Sequence, residues 1–227
     1  MFANFSIDLF ITAVTFGNLI PPGTTGIASY FLYIAPGSNL VTAMVAAFQS
    51  GRDVWREKYI KDLTSYLLSL PVPRLLLASS RIAGGVARSV IATFPGTIVI
   101  CYLYGMLFDT RVLEAYLIVA LFSLGIVGLS MSFAAFASSI EVFVTVRSLV
   151  QLYLSFLSTL FYKVEVVQEK APFLVPIVSS NPMTWAVEAF RELKVSGTGF
   201  APISVLIAPS LFFALLGLGS YLWYSKL

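Results

Sequence analysis

The chain has 227 residues, of which 58% are hydrophobic and 11% are charged, whereas a soluble domain carries about 25% charged residues, so an ordinary water-soluble domain is excluded. The net charge of +3 comes from few basic residues that lie mainly between apolar segments, which indicates membrane orientation and no nucleic-acid binding. The chain has no His and a single Cys101 in an apolar stretch, which excludes His-based triads, disulfide frameworks and thiolate or imidazole metal sites, and we expect no metal or cofactor.

The first two predicted membrane spans cover residues 5–20 and 27–49. The first is short for a crossing of about 20 residues and carries Asp8, and the second contains Pro36-Gly37, which predicts a kink. No Lys or Arg precedes Arg52. The first apolar run therefore lacks the positive region of a secretory signal, and we expect it to stay in the membrane as a span.

Four further apolar stretches predict four more spans. Arg81 and Arg88 precede the core of the third span, so the chain is expected to approach that core along the membrane interface. Ser130, Ala134 and Ser138 in the fourth span have a four-residue spacing that lets another helix approach closely. The predicted third to sixth spans are residues 89–107, 115–140, 142–162 and 200–224.

The Lys and Arg residues predict which side of the membrane each loop occupies. Basic residues lie in residues 52–74, at Arg147 after the fourth span and at Lys226 near the C-terminus. A six-span arrangement places these three groups on one side, which is predicted to be cytoplasmic because cytoplasmic loops are rich in Lys and Arg. On the opposite side, the Lys and Arg residues of the segment 163–199 are offset by Glu165, Glu169, Glu188 and Glu192. The predicted fold is an all-α membrane protein with six transmembrane helices, both termini cytoplasmic, in one domain over residues 1–227.

A cytoplasmic amphipathic helix is predicted over residues 58–70, between the second and third spans. Lys61 lies on its polar face, and Pro71 and Pro73 end it. Such a helix either lies in the membrane interface or docks into a groove on a partner protein, and amphipathicity alone favours the interface. Its apolar face comprises Tyr59, Ile60, Leu63, Tyr66, Leu67 and Leu70.

The segment 163–199 is predicted to lie on the external side. Within it, Asn181 supplies a helix N-cap and Pro182 suits the first helical turn. Glu188 can pair with Arg191 one turn later in that helix. The segment forms either a re-entrant hairpin that caps a cavity or an amphipathic helix that rests on lipid, and the pattern leaves both interpretations open.

Short motifs along the chain are informative through their order and spacing. They are Arg56-Glu57-Lys58, the run 68–74, Ser80-Arg81-Ile82, Phe161-Tyr162, Asn181-Pro182-Met183-Thr184-Trp185, Glu188 and Arg191. Together they resemble the type-two ABC exporter permeases, which include drug, lipid and polysaccharide exporters. The resemblance covers nearly the whole chain. It departs from the family pattern at Lys163, where a proline is frequent, and in the amphipathic helix that usually precedes the first span, which we do not find.

The resemblance implies a homodimer or heterodimer of such permease subunits in the plasma membrane. Each would dock through residues 58–70 onto an ATP-binding subunit, which favours the docking interpretation of that helix. The chain contains no G-x-x-x-x-G-K-[ST] phosphate-binding loop. We therefore expect ATP and Mg²⁺ on the partner subunit and no enzymatic activity in this chain, with alternating access driven by the partner's ATPase cycle.

The residues that line a substrate pathway are predicted less specifically, because lining and packing use the same residue types. Alternatives to an exporter are a secondary transporter, which typically has internal repeats and mid-membrane ionisable residues, and a structural membrane subunit without a pathway. An intramembrane enzyme is the least favoured, since no polar constellation lies at depth. The candidate lining residues are Phe16, Asn18, Tyr30, Asn39 and Arg88.

Overall fold

A computed structural model describes residues 27–59, 66, 69, 71–195 and 200–224 of the chain. The first predicted span, residues 5–20, lies outside these described residues, as does most of the predicted cytoplasmic helix. Within the described residues the fold is helical, with eight α-helices and a short 3-10 turn at Pro172–Leu174. The helices are α1 Ile27–Tyr59, α2 Arg74–Leu103, α3 Arg111–Phe136, α4 Ile140–Phe156, α5 Val164–Lys170, α6 Val175–Ser179, α7 Pro182–Val195 and α8 Phe200–Tyr224.

Three helices of the described part are long and apolar enough to cross a membrane: α2, α3 and the stretch Ile203–Trp223 of α8. The bounds of α8 coincide with the predicted sixth span. Helix α1, with 33 residues, contains the predicted second span, residues 27–49, and is not among these three. Helix α4 has 17 residues, fewer than the roughly 20 residues of a typical transmembrane helix. The protein is therefore a multi-pass membrane protein, and the count of six spans stays a prediction.

Helix α2 differs from the predicted third span, residues 89–107. It runs as one helix of 30 residues that starts 15 residues earlier, at Arg74, and ends at Leu103. Arg81 and Arg88, in the first half of this helix, both bind acidic residues of α1. It ends where Gly105 follows with a φ of 73°, a conformation that glycine adopts without steric cost.

The predicted fourth and fifth spans both extend past the helices that form them. Helix α3 ends at Phe136, because Ala137 has an extended backbone. Ser139 then starts α4, and its Oγ accepts a hydrogen bond from the Val142 amide at 3.3 Å. A serine at this position satisfies one of the free amides at a helix start. A short turn at residues 137–139 therefore joins the two helices. Helix α4 is shorter than the predicted fifth span and ends at Phe156.

Helix α3 is central among the described helices and packs against α1, α2, α7 and α8. It crosses α8 where Gly128 meets Gly217, and a Cβ atom on Gly217 would lie 2.5 Å from the Gly128 carbonyl oxygen. It meets α1 where the Ser130 hydroxyl donates to the Phe48 carbonyl oxygen at 3.0 Å. The close helix approach predicted at Ser130 is confirmed, and Gly51 of α1 provides the space for it.

Proline residues lie inside the long helices without ending them. Pro36 lies within α1 and Pro95 within α2. Because proline has no amide hydrogen, the carbonyl four residues earlier loses its helical donor. For Pro36 that carbonyl belongs to Leu32, and the Tyr104 hydroxyl donates to it at 2.8 Å. A side chain from the end of α2 thus replaces the missing hydrogen bond of α1.

Candidate functional site

The segment predicted to dock onto a partner connects α1 to α2. Tyr59 is the last residue of α1. Within the segment, Tyr66 is described as helical with its side chain 62% exposed, and the Ser69 hydroxyl donates to its carbonyl oxygen at 2.7 Å. An exposed aromatic side chain at this position is compatible with the predicted docking surface. The other predicted docking residues lie outside the described part of the chain: Ile60, Lys61, Leu63, Leu67 and Leu70.

Two ion pairs join α1 to α2 beside this segment. Arg81 binds both carboxylate oxygens of Glu57, each at 2.8 Å, and this bidentate arrangement is the stronger geometry for such a pair. Arg88 binds Asp53, with Nη1 and Oδ2 2.7 Å apart. Asp53 and Glu57 are four residues apart and so share one face of α1. The two pairs hold the last turns of α1 against the first turns of α2, at the two ends of the docking segment.

Arg88 was predicted either to face a pathway or to extend towards the membrane interface. Its side chain is 45% exposed and forms an ion pair with Asp53. It also borders a small polar cavity of about 230 Å³ between α1 and α2. A role of Arg88 in a substrate pathway stays a prediction.

Asn181 joins the start of α7 to the end of α4. Its Oδ1 accepts a hydrogen bond from the Met183 amide at 2.8 Å, which confirms the predicted N-cap. Its Nδ2 donates to the Leu157 carbonyl oxygen at 2.6 Å and also lies within 3.4 Å of the Tyr153 and Leu154 carbonyl oxygens. The last carbonyls of a helix have no intrahelical donor. One amide side chain therefore satisfies the start of one helix and the end of another.

Arg191 of α7 connects three parts of the fold. Its Nε and Nη2 donate to the Tyr33 carbonyl oxygen of α1 at 3.2 and 3.0 Å, and Nη2 also donates to the Leu160 carbonyl oxygen at 3.2 Å. Its guanidinium lies over the Tyr33 ring, 3.4 Å from the centroid. The predicted pair with Glu188 is confirmed at 2.9 Å, with Arg191 only 11% exposed. This arginine is therefore a largely buried structural residue.

The remaining motif residues turn the chain after α4. The Phe161 ring packs at 5.9 Å from the Phe156 ring, and the Tyr162 hydroxyl donates to the Phe156 carbonyl oxygen at 2.5 Å. Pro182 is the first residue of α7, a position where its missing amide hydrogen has no consequence. These motif residues thus fix how α4, the following turn and α7 fit together.

Sequence analysis missed the contacts that join this end to the turn between α2 and α3. Arg111 donates to the Leu193 carbonyl oxygen in the last turn of α7 at 3.2 Å and to Asp109 at 2.6 Å. The hydrogen bond from Arg111 holds the pKa of the Asp109 carboxyl below its usual value. The sequence signal was an arginine two residues after an aspartate in a short turn between two apolar stretches.

The predicted pathway residues fall in different places. Phe16 and Asn18 lie outside the described residues, and only the backbone of Tyr30, within α1, is described. Asn39 is fully buried between α1 and α2, where its Nδ2 donates to the Thr97 hydroxyl at 2.9 Å. In this conformation it faces a neighbouring helix of the same subunit, and a pathway role for it stays a prediction.

An apolar cavity of about 610 Å³ lies between α3, α4, α7 and α8. Phe122, Tyr153, Trp185 and Phe213 contribute large side chains to its wall. Its volume falls within the range of about 300–1,000 Å³ that small-molecule pockets occupy. Its apolar wall suits a hydrocarbon group and does not suit an ion.

Comparison with known proteins identifies the family. The sequence matches the ABC-2 type transporter family over residues 4–194, a range that contains the docking segment, both ion pairs and the Asn181 and Arg191 contacts. Comparison with curated proteins and with solved structures gave no match. The family match covers most of the chain and describes a non-catalytic membrane component. The protein therefore belongs to the ABC-2 type transporter family and is a multi-pass membrane permease of that family.

Proposed function

We propose that this chain is the permease subunit of an exporter that is driven by a separate ATP-binding subunit. The observation that carries the proposal is the family match over residues 4–194, combined with a sequence that has no phosphate-binding loop of its own. ATP and Mg²⁺ would then bind the partner subunit. This chain would supply the transmembrane part.

The docking site in this proposal is the segment 58–70. Its apolar face can fill a groove on the ATP-binding subunit, as amphipathic helices do in other complexes, and Lys61 can contact acidic groups at the rim. Tyr66 is the member of this face whose exposure the structure describes. The ion pairs at Glu57 and Asp53 support the proposal because they fix α1 and α2 to each other at the ends of the segment.

This arrangement offers a mechanical route for transport. A displacement of the docking segment would move the ends of α1 and α2 together, because Arg81 and Arg88 hold them. ATP can drive such a displacement only if it binds the two states of the partner with different affinity. Paired with a second permease subunit, the moving helices would open a central cavity first to one side of the membrane and then to the other.

Six spans with both termini in the cytoplasm complete the proposal. The basic residues 52–74 and Arg147 support this orientation, because positively charged loops remain on the cytoplasmic side. The external segment, from α5 through α7, would then close the outer end of the subunit. Its contacts through Asn181 and Arg191 support a fixed closure, since both side chains bind backbone carbonyls of other elements.

The test is whether the docking segment binds an ATP-hydrolysing subunit. The full chain is affinity-purified from its native membrane, and co-purified ATPase activity is measured for the natural sequence, for Leu63→Asp with Leu67→Asp, and for Lys61→Glu. We expect the double variant to lose most of the associated ATPase and the single variant to lose part of it. Thr64→Asp, on the polar face of the same helix, is the matched control and should retain it. Equal ATPase with all four proteins would contradict the docking assignment.

A further inference from the structure

The cytoplasmic ends of α1 and α4 bring two arginines together. The guanidinium carbon of Arg147 on α4 lies 5.8 Å from the centroid of the Phe48 ring on α1. Arg52 follows Phe48 by one helical turn and so shares its face of α1. Arg147 lies within the electrostatic reach of Arg52. Two positive charges therefore lie near each other where the two helices meet.

These two arginines differ from Arg81 and Arg88 of α2. Arg81 and Arg88 each have a carboxylate partner, whereas neither Arg52 nor Arg147 has an ion pair or hydrogen bond with the residues that the structure describes. The Nε of Arg147 is buried and lacks an acceptor there. A guanidinium presents five N–H donors in a fixed fork, which an anion with several acceptor oxygens can satisfy.

The nearby carboxylates are engaged elsewhere. Asp53 and Glu57 face α2, where they bind Arg88 and Arg81. Glu141, at the start of α4, interacts with Ser139. Asp53 and Glu57, which are already in ion pairs, therefore do not balance the charge of the two arginines.

We propose that Arg52 and Arg147 bind the phosphate group of an anionic phospholipid. A phosphate carries negative charge on several oxygens and matches the arginine fork. Clefts with basic residues on the cytoplasmic side of membrane proteins attract anionic headgroups. Val144 lies on α4 three residues before Arg147, on the same side of the helix. It is 44% exposed and provides apolar surface beside the site for an acyl chain, which favours a lipid over free phosphate.

The experiment measures lipid retention by the full chain, purified in detergent with any subunit that remains bound. Native mass spectrometry counts phosphatidylglycerol molecules retained by the natural sequence and by Arg52→Gln, Arg147→Gln and Arg147→Lys. We expect about tenfold weaker binding for each Gln variant, the loss expected when one charged hydrogen-bonding group is removed, and an intermediate loss for Arg147→Lys. Arg74→Gln, an exposed arginine at the start of α2, is the matched control and should bind as the natural sequence does.

Competition separates the two sources of phosphate. If added inorganic phosphate fails to displace phosphatidylglycerol, and phosphatidylcholine binds more weakly, the occupant is an anionic lipid. If inorganic phosphate displaces the lipid, the site binds phosphate but the lipid assignment is overturned. Equal phosphatidylglycerol retention by the natural sequence, Arg52→Gln and Arg147→Lys would overturn the site itself. If those variants retain as much phosphatidylglycerol but change their oligomeric state, the arginines bind a carboxylate of a second subunit and the lipid proposal is overturned.

Discussion

Arg191 lies over the ring of Tyr33 and donates two hydrogen bonds to the carbonyl oxygen of the same residue, 158 positions away in the sequence. Tyr33 is three residues before Pro36, in the turn that the proline loosens. The preceding carbonyl, at Leu32, accepts from the Tyr104 hydroxyl. The proline turn of α1 is thus completed by side chains from α7 and from the end of α2, and α1 depends on both for its hydrogen bonds.

Replacing Arg191 by Ala should lower the free energy of unfolding by about 3 kcal/mol, because two backbone carbonyls lose a charged donor. Arg191→Lys should recover less than half of this loss, since lysine lacks the planar fork that reaches Tyr33 and Leu160 together. Denaturant unfolding in detergent measures both values. Lys170→Ala, at an exposed position of α5, is the control and should change stability little. A lysine variant as stable as the natural sequence would contradict the geometric role.

Asn181→Asp distinguishes helix capping from the bridge between α7 and α4. Aspartate is a good N-cap, so a residue that only capped α7 would tolerate the change. The new carboxylate would instead face the Leu157 carbonyl oxygen without a donor, and we expect a loss of about 2 kcal/mol at neutral pH. The loss should shrink as the pH falls, because the pKa of this carboxyl is raised in the folded state and its protonated form can donate. Measuring the free energy of unfolding across pH tests this. A variant as stable as the natural sequence at neutral pH would show that Asn181 acts only as the N-cap of α7.

The local features of this fold were predictable, and the long-range partners were not. The start of α7 followed from Asn181-Pro182, and α8 matched its apolar stretch from end to end, because capping and hydrophobic length act within a few residues. The pair of Arg191 with Glu188 was predictable, but its long-range partners were not, since Tyr33 offers a backbone carbonyl, which carries no sequence signal. The charge on α1 was a usable signal that was missed: acids at Asp53 and Glu57 share a helix face that can meet arginines on a neighbouring helix.

The two ion pairs between α1 and α2 should differ in strength. Arg81 and Glu57 form two hydrogen bonds with side chains 29% and 17% exposed, whereas Arg88 and Asp53 form one with side chains 45% and 35% exposed. Double-mutant cycles combine Arg81→Gln with Glu57→Gln, and Arg88→Gln with Asp53→Asn. They should give a coupling energy of about 1–2 kcal/mol for the first pair and about 0.5 kcal/mol for the second, because solvent screens the second pair. Unfolding in detergent provides the measurement. A larger coupling energy for the Arg88–Asp53 pair would show that burial and geometry do not determine which ion pair is stronger.

Gly128→Ala should destabilise the protein by about 1–3 kcal/mol, because overpacking a tight interface displaces backbone. The added methyl group would meet the backbone of α8 at Ala214, 2.6 Å away. Gly219→Ala is the matched control on α8, since a Cβ atom there meets nothing within 4 Å. It should be neutral or slightly stabilising, as alanine is the better helix former. The two variants are compared by thermal unfolding, and equal effects would argue against the crossing of α3 and α8 at this point.

The sidedness of three exposed positions tests whether the short helix α4 crosses the membrane. Tyr66, Leu113 and Lys170 are replaced one at a time by Cys after the buried Cys101 is changed to Ser, and intact cells are treated with a membrane-impermeant maleimide. One helix, α2, separates Tyr66 from Leu113, and α3 and α4 separate Leu113 from Lys170. The six-span arrangement therefore predicts labelling from outside at positions 113 and 170 and labelling at position 66 only after the cytoplasmic face is opened. If α4, with its 17 residues, fails to cross, position 170 joins position 66 on the inner side while position 113 remains outside, and the external placement of α5 to α7 is then wrong.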